Sequence, residues 1–313
     1  MRPARASFTS GSDMDPALRT AARILPRGYG LSRGLRVPRA AMTLLGRLLA
    51  GRDVPVVAVD ADVSVRLHRP ARLADPTPAL LWIHGGGFVM GSARQEDSFC
   101  RRLSHLTNVA VAAVDFRLPP EHPYPAPLED CYTALLWLAR QPWVVPSRIA
   151  IGGLSSGGGL AAALAFLARD RGEIQPALQL LSQPNLDDRT GSHATGRRRL
   201  VWSEGDNRQA WRWYLGGADP AVAVPARRTD LAGLAPAWIG TGSLDLLHDE
   251  AVEYGRRLNE AGTPCHVELA HGAFHAFDSI VPNAPVSLAL FASQCDQLRA
   301  ALTDDGSKTR DAN

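Results

Sequence analysis

A serine bracketed by glycines, Gly153-Leu154-Ser155-Ser156-Gly157, follows directly on the apolar run Ile149-Ala150-Ile151. A strand running straight into a helix with a serine at the junction lifts the hydroxyl above the sheet. Flanking glycines are needed because side chains there would strike neighbouring backbone. The helix N-terminus then aims its free N–H groups and its dipole at the reacting centre, where negative charge is favoured. The chemistry this pattern offers is nucleophilic attack by the Ser155 hydroxyl. Taken alone it is a weak signal, arising by chance roughly 0.15 times in a chain of this composition, and a glycine-rich strand–helix turn is the bland reading.

The second signal is far more specific. His84-Gly85-Gly86-Gly87-Phe88 follows the run Leu80-Leu81-Trp82-Ile83, and a His before three glycines arises by chance only about 0.006 times. Successive glycines let main-chain N–H groups converge on one point. Together with the Ser156 N–H they could hold a tetrahedral oxyanion, each donor contributing ~3 kcal/mol to the transition state. His84 is expected to brace this loop by hydrogen bonding.

A serine hydroxyl needs an adjacent base near pH 7. His275, in His271-Gly272-Ala273-Phe274-His275-Ala276-Phe277, sits beyond the apolar run ending at Leu269 and is the leading candidate. His271 is its competitor, and His266 belongs at the opposite edge of the sheet. The carboxylate that would fix the imidazole tautomer is Asp245, a short loop after Trp238-Ile239-Gly240-Thr241-Gly242. Asp187 and Asp188 are alternatives, while Asp249 reads as a helix-surface residue.

These residues need elements that bring them to one edge. Short β-branched runs at Ala79–Ile83, Val109–Val114, Ile149–Ile151, Leu178–Leu181, Ala237–Gly240 and His266–Leu269 read as strands covered on both faces, and the alternation Val63–Leu67 as a half-exposed strand. Helical patterns at Gln95–Leu106, Pro127–Gln141, Ser156–Asp170, His248–Ala261 and Val286–Leu302 alternate with them. The expected class is α/β, with a mainly parallel central sheet and helices on both faces, and its ligand sites lie beyond the carboxyl ends of the strands. Residues 1–14 are expected to be disordered, and 15–50 to form N-terminal cap helices, with Ala41, Leu44, Leu45, Leu48 and Leu49 at helical spacing. The core then spans 51–302 with an insertion at about 189–231, and 303–313 form a mobile tail.

Of 313 residues, 34 Lys and Arg stand against 31 Asp and Glu, too even a balance for a nucleic-acid binder. The one basic run, Arg197-Arg198-Arg199, reads as a solvated loop. Cys100, Cys131, Cys265 and Cys295 form no C-x-x-C pair, so no zinc or redox dithiol site is expected, and Cys131 and Cys295 read as small core residues. The longest candidate span, Gly157 to Ala168, falls short of the roughly 18 apolar residues of a membrane helix, and the N-terminus lacks a signal-like apolar stretch. The expectation is a cytoplasmic protein without metal or cofactor; whether Met1 or Met14 starts it is left open.

With these residues in place, the chain resembles the bacterial hormone-sensitive-lipase family of esterases within the α/β-hydrolase superfamily. The likeness runs through the His84–Phe88 block, Asp115-Phe116-Arg117-Leu118-Pro119-Pro120-Glu121-His122-Pro123-Tyr124-Pro125-Ala126, the serine elbow, Asp245-Leu246-Leu247-His248-Asp249-Glu250 and Gly272-x-x-His275-x-Phe277. It implies an α/β-hydrolase fold with a helical cap, Ser155 as nucleophile, His275 as base and Asp245 as its orienter. Gly86, Gly87 and Ser156 become oxyanion donors with Gly85 completing the loop, and Glu121 holds the loop beneath the site. The chain departs from the family pattern at Leu154, usually Asp, at Ser156, usually Ala, and at Pro119, usually Ala. It departs again at Gln183 and Asn185, where apolar or aromatic residues are usual, which bears on substrate preference.

The function so implied is hydrolysis of short- to medium-chain carboxylic esters through an acyl-enzyme, the partner being a small-molecule ester. Amide, arylformamide or lactone hydrolysis by the same machinery is the alternative, and a non-catalytic ligand-binding relative the remoter one. Phe88, Trp202, Trp211 and Tyr214, with Trp213, could line a substrate pocket or pack the insertion onto the sheet. A homodimer through an edge strand is an assembly the family permits.

Overall fold

The computed structural model describes residues 13–70, 75–191 and 199–303. Eight strands form one sheet: β1 (Val56–Ala58), β2 (Ser64–His68), β3 (Thr77–Ile83), β4 (Ala110–Asp115), β5 (Val144–Leu154), β6 (Leu178–Ser182), β7 (Ala237–Gly242) and β8 (Cys265–Ala270). Their order is β1-β2-β4-β3-β5-β6-β7-β8. β2 pairs antiparallel with both β1 and β4, and every pairing from β4 onward is parallel. The helices are α1 (Arg19–Ile24), α2 (Arg36–Leu49), α3 (Asp97–Thr107), α4 (Ala126–Ala139), α5 (Ser156–Arg171), α6 (Glu204–Leu215), α7 (Pro220–Ala223), α8 (His248–Glu260), α9 (Phe277–Ile280) and α10 (Pro285–Leu302). The α/β class and the mainly parallel sheet expected from the sequence are both present. β1 carried no periodic signal because three residues are too few to show one.

Strand periodicity divides the core in two. In β3 the side chains of Ala79, Leu81 and Ile83 enter the cluster that holds Leu128, Cys131, Leu135 and Leu138 of α4 and Leu160 and Leu164 of α5. Leu80 and Trp82 point the other way, into the cluster with Cys100 and Leu103 of α3 and Leu290, Phe291, Cys295 and Leu298 of α10. Both faces of the sheet are therefore covered, which is why its inner strands read as unbroken apolar runs. Burying each such side chain contributes roughly 2 kcal/mol.

Register fixes where the strand ends meet. Ile83 pairs with Gly153, Leu154 with Ser182, and Gly242 with Ala270. The loops after β3, β5, β7 and β8 consequently emerge at one edge, and they carry the His84–Phe88 block, Ser155, Asp245 and His275 respectively.

The N-terminal segment differs from the continuous helical reading. α1 stops because Leu25, preceding Pro26, is extended (φ −74°, ψ 142°). The stretch that follows turns through glycines at positive φ, including Gly28, Gly30 and Gly34, before α2 begins. The leucine spacing that signals α2 belongs to its outer face: Leu44 is 59% and Leu48 74% exposed, whereas Pro38 and Gly46 are buried. Asp13 and Met14 are among the described residues. Met14 packs against the core and Asp15 N–H donates to the Gly272 carbonyl at 3.0 Å. Residues 1–12 and 304–313, with the rest of the expectations on the two termini, lie outside the described residues. Among the described residues no helix is long and apolar enough to cross a membrane.

Candidate active site

The elbow is a main-chain feature before it is a chemical one. Ser155 adopts φ 57°, ψ −120° between β5 and α5, a conformation that costs a non-glycine residue on the order of 1–3 kcal/mol. Three backbone bonds hold it there. Ser155 N–H donates to the Ser182 carbonyl at 2.8 Å, and the Ser155 carbonyl accepts from Gly159 and Asn185 N–H at 3.0 Å each. Glycine at 157 is obligatory, since a Cβ would stand 2.1 Å from the Ile83 carbonyl oxygen.

Ser155 Oγ lies 2.9 Å from His275 Nε2, and His275 Nδ1 lies 2.8 Å from Asp245 Oδ2. All three residues are at least 94% buried. A carboxylate can only accept, so Nδ1 carries a proton and Nε2 of the neutral ring is free to accept from the serine. The other Asp245 oxygen accepts from Leu247 N–H at 2.9 Å. The loops carrying this pair are stitched together: Ser243 N–H donates to Ala270, Leu244 N–H to Ala273, and Gly272 N–H to Ser243 Oγ. His271 is exposed, and Asp249 pairs with His248 on the surface. Asp187 pairs with Arg189 and Asp188 with Arg227. None of these four reaches Ser155.

The loop after β3 packs against the elbow, with Gly85 close enough that a Cβ would sit 3.5 Å from that of Ser155. Gly86 and Gly87 have φ 129° and 60°. At Gly86 a side chain would stand 2.0 Å from the Met90 carbonyl oxygen, so only glycine lets the chain turn back here. The Gly85 carbonyl is held by His84 Nδ1 at 2.8 Å and Gln95 Nε2 at 3.3 Å. Burial pushes the His84 imidazole pKa down. That keeps the ring neutral, donating through Nδ1 and stacked on Phe116 at 4.4 Å. Next to Gln95, buried Glu96 has its carboxyl pushed up to about 6 by burial, against the hydrogen bond from Gln95. Ser156, expected to contribute an N–H, is wholly buried at the first position of α5.

Glu121 is displaced from the centre. Its carboxylate, 56% exposed, takes a two-pronged bond from Arg39 of α2, at 2.7 Å on each oxygen. Arg39 also donates to the carbonyls of Val89 and Pro119. One arginine thus ties α2 to both the glycine loop and the Glu121 turn. Nothing in the sequence announces it, because its partners lie 50 and more residues away.

The four aromatics separate into two groups. Phe88 packs on Tyr214 at 4.4 Å and on Trp211 at 4.7 Å, all three at most 2% exposed, so their faces are spent on one another. Trp202 instead lies on the glycine loop, where a Cβ at Gly87 would be 2.3 Å from its ring. Trp213 is a half-buried residue packed against the core.

Gln183 and Asn185 prove to be scaffold residues, both fully buried. Gln183 accepts from Ala276 N–H at 2.5 Å and donates to Asp278 at 2.8 Å, clamping the His275 loop from both sides. Asn185 joins the elbow to the aromatic element, accepting from Trp211 and donating to Asn207, which in turn accepts from Trp202. A polar residue just past an apolar parallel strand was the available signal for both. Arg199 departs from the solvated-loop expectation, since it donates to the Asp245 carbonyl at 3.0 Å; Arg197 and Arg198 lie outside the described residues. Leu154 packs into the α3–α10 cluster. Among the described residues, no three His, Cys, Asp or Glu side chains are grouped to hold a metal.

The chain as a whole is similar to known proteins. A family model described as the alpha/beta hydrolase fold matches residues 80–279. Esterase LipI of Mycobacterium tuberculosis is 34% identical, over 84% of this chain and 88% of LipI. Carboxylesterase NlhH of the same organism is 32% identical, over 87% and 92%. Among solved structures, a bacterial heroin esterase superposes with a TM-score of 0.84 at 36% identity, covering 93% of this chain and 99% of its own. With a family model reaching from within β3 through β8 and relatives matched along most of their length, the chain belongs to the α/β-hydrolase fold family, as the resemblance to its hormone-sensitive-lipase branch implied.

Proposed function

We propose that this carboxylic ester hydrolase is a serine esterase acting on short- to medium-chain esters through a covalent acyl-enzyme. The observation that carries the reading is the unbroken relay from Ser155 Oγ through His275 to Asp245, at 2.9 and 2.8 Å, beside the glycine loop. The Ser155 oxygen bonds to the ester carbonyl carbon while its proton passes to His275 Nε2, and the carbonyl electron pair moves onto oxygen. N–H groups of Gly86, Gly87 and Ser156 hold that oxyanion, with Gly85 giving the loop its shape; such donors are worth ~3 kcal/mol each in the transition state. As the tetrahedral species collapses, the C–O bond to the alcohol breaks and His275 returns the proton to the leaving oxygen. Water, deprotonated by the same nitrogen, then attacks the acyl carbon, and Ser155 leaves with the proton. Asp245 stays ionised throughout and stabilises the transient imidazolium.

Of the aromatic residues, Trp202 is the one we assign to the wall of the substrate site, because its ring lies directly against Gly87. A panel of nitrophenyl esters from acetate to palmitate, run beside Ser155→Ala and with stoichiometric organophosphate titration, tests the proposal. Turnover is expected to peak at short to medium acyl chains and to vanish in the variant, with one phosphonyl group on Ser155. Equal turnover by the two proteins would overturn it.

A further inference from the structure

α2 presents its apolar stripe to solvent. Val37, Ala41, Leu44, Leu45 and Leu48 recur at offsets of four, seven, eight and eleven residues, which places them within about 100° of one side of the helix. Val37 is 80%, Leu44 59%, Leu45 43% and Leu48 74% exposed, and Ile24 at the end of α1 is 85% exposed. The opposite side is the one the fold uses. Gly46 is buried there and Pro38 at the stripe's edge, Leu35 and Met42 pack against the core, and Arg39 makes its three-way tie. A continuous exposed apolar strip marks a surface meant to be covered.

Charge identifies the cover. Residues 16–52 hold eight of the chain's 34 basic residues, all arginine, and none of its 31 acidic ones. Arg36 and Arg47 are exposed on α2 beside the stripe, and Arg23 and Arg33 of the preceding segments are exposed as well. Two copies of this face set against each other would bring arginine to arginine. Residues 1–12, with Arg2, Arg5 and no acid, repel it likewise. A convex apolar ridge rimmed by cations matches a negatively charged lipid surface, where leucines enter the acyl boundary and arginines meet the headgroups. We propose that α2 docks this enzyme peripherally on anionic membranes. Through Arg39 the docked helix stands one hydrogen bond from the loop bearing Gly85, Gly86 and Gly87, so docking brings the site to ester solutes dissolved in the bilayer.

The test uses the full chain sedimented with vesicles of phosphatidylglycerol and phosphatidylcholine, or of phosphatidylcholine alone. Wild type is expected to bind the anionic vesicles at least about tenfold more tightly and to release them at high salt. Leu44→Glu with Leu48→Glu should lose more than about a hundredfold in binding. Arg36→Gln with Arg47→Gln, which keeps the stripe, should lose roughly thirtyfold. All three proteins should hydrolyse a soluble nitrophenyl ester equally, so the outcome is independent of the esterase reading. Failure of the active wild type to bind anionic vesicles overturns the proposal, as does undiminished binding by the leucine variant. A dimer seen by light scattering that the leucine variant dissolves, without vesicle binding, would also overturn it and assign the face to a second copy.

Discussion

The loops at the carboxyl edge of the sheet and the helices at the N-terminus are held by opposite means. At the edge, each element of the proposed relay is buried and fixed by several short polar contacts: the Ser155 carbonyl accepts twice, Asp245 uses both oxygens, and the His275 loop is gripped by Gln183. α2 turns its best apolar residues outward and is tied to the site by one half-exposed arginine. Reactive geometry must hold to a fraction of an ångström, and buried hydrogen bonds supply that because leaving any of them unmade is expensive. A helix that covers or docks needs only approximate placement. Substitutions at the edge should therefore act on kcat, and substitutions in the tether should leave kcat alone.

The largest effect is expected from Asp245→Asn. The amide preserves shape but offers Nδ1 the wrong partner, favouring the tautomer that cannot accept the serine proton, and kcat should fall about 10⁴-fold with little change in KM. Steady-state kinetics on nitrophenyl butyrate checks this, and a loss below tenfold would detach Asp245 from the relay. Gln183→Leu comes next. It strands the Ala276 N–H and removes one of the donors to the half-buried Asp278 carboxyl, which should cost ~1–3 kcal/mol of stability and lower kcat more than it raises KM. Gln183→Glu retains the acceptor for Ala276 but opposes a carboxylate to Asp278, whose own pKa burial already raises. Its activity relative to wild type should recover as the pH falls toward the point where the pair shares a proton. Recovery in the glutamate variant but not in the leucine one would identify positioning rather than bulk packing.

The same contrast explains what could be read from the chain before folding. The meeting of Ser155, His275 and Asp245 was legible because each follows an apolar strand run, and parallel strands deliver their carboxyl ends to one edge. The sheet was legible for the same reason. Arg39 and Gln183 were not assignable, since their roles lie in partners 50 to 95 residues distant. Phe88, Trp211 and Tyr214 could not be told from a pocket lining, because an aromatic that packs on aromatics and one that awaits a ligand have the same sequence signature. In α2 the period of the leucines gave the helix but not which side faces water.

A smaller effect, in stability rather than rate, should come from Glu96→Gln beneath the glycine loop. The Glu96 pKa rises from 4.5 to about 6 on folding. The native state therefore binds more protons than the unfolded chain between those values, and this group's contribution to stability falls as pH rises through that window. Above pH 6 the ionised carboxyl costs about 2 kcal/mol. Glu96→Gln should accordingly stabilise the protein by up to that amount at pH 7.5 and by nothing below pH 4.5. Urea unfolding at the two pH values measures the difference. A variant equally stable or less stable at pH 7.5 would show that the ionised carboxylate is itself a needed acceptor for the loop.

The smallest effect is expected where the tether meets water. The Arg39 guanidinium holds the Glu121 carboxyl down to about 2, so whatever the pair contributes is complete at neutral pH and is lost only as pH falls below the ordinary carboxylate range toward 2. With Glu121 56% exposed, solvent screening limits that contribution to less than about 1 kcal/mol. Glu121→Gln should leave kcat on a soluble ester within twofold, because Arg39 retains the carbonyls of Val89 and Pro119. Arg39→Ala removes those bonds too and should release α2, detected as faster proteolysis within residues 25–35, again with kcat nearly unchanged. A tenfold loss of kcat in Glu121→Gln would mean that the carboxylate acts on substrate directly, and the division between a rigid edge and a loosely tethered helix would then have to be redrawn to include it.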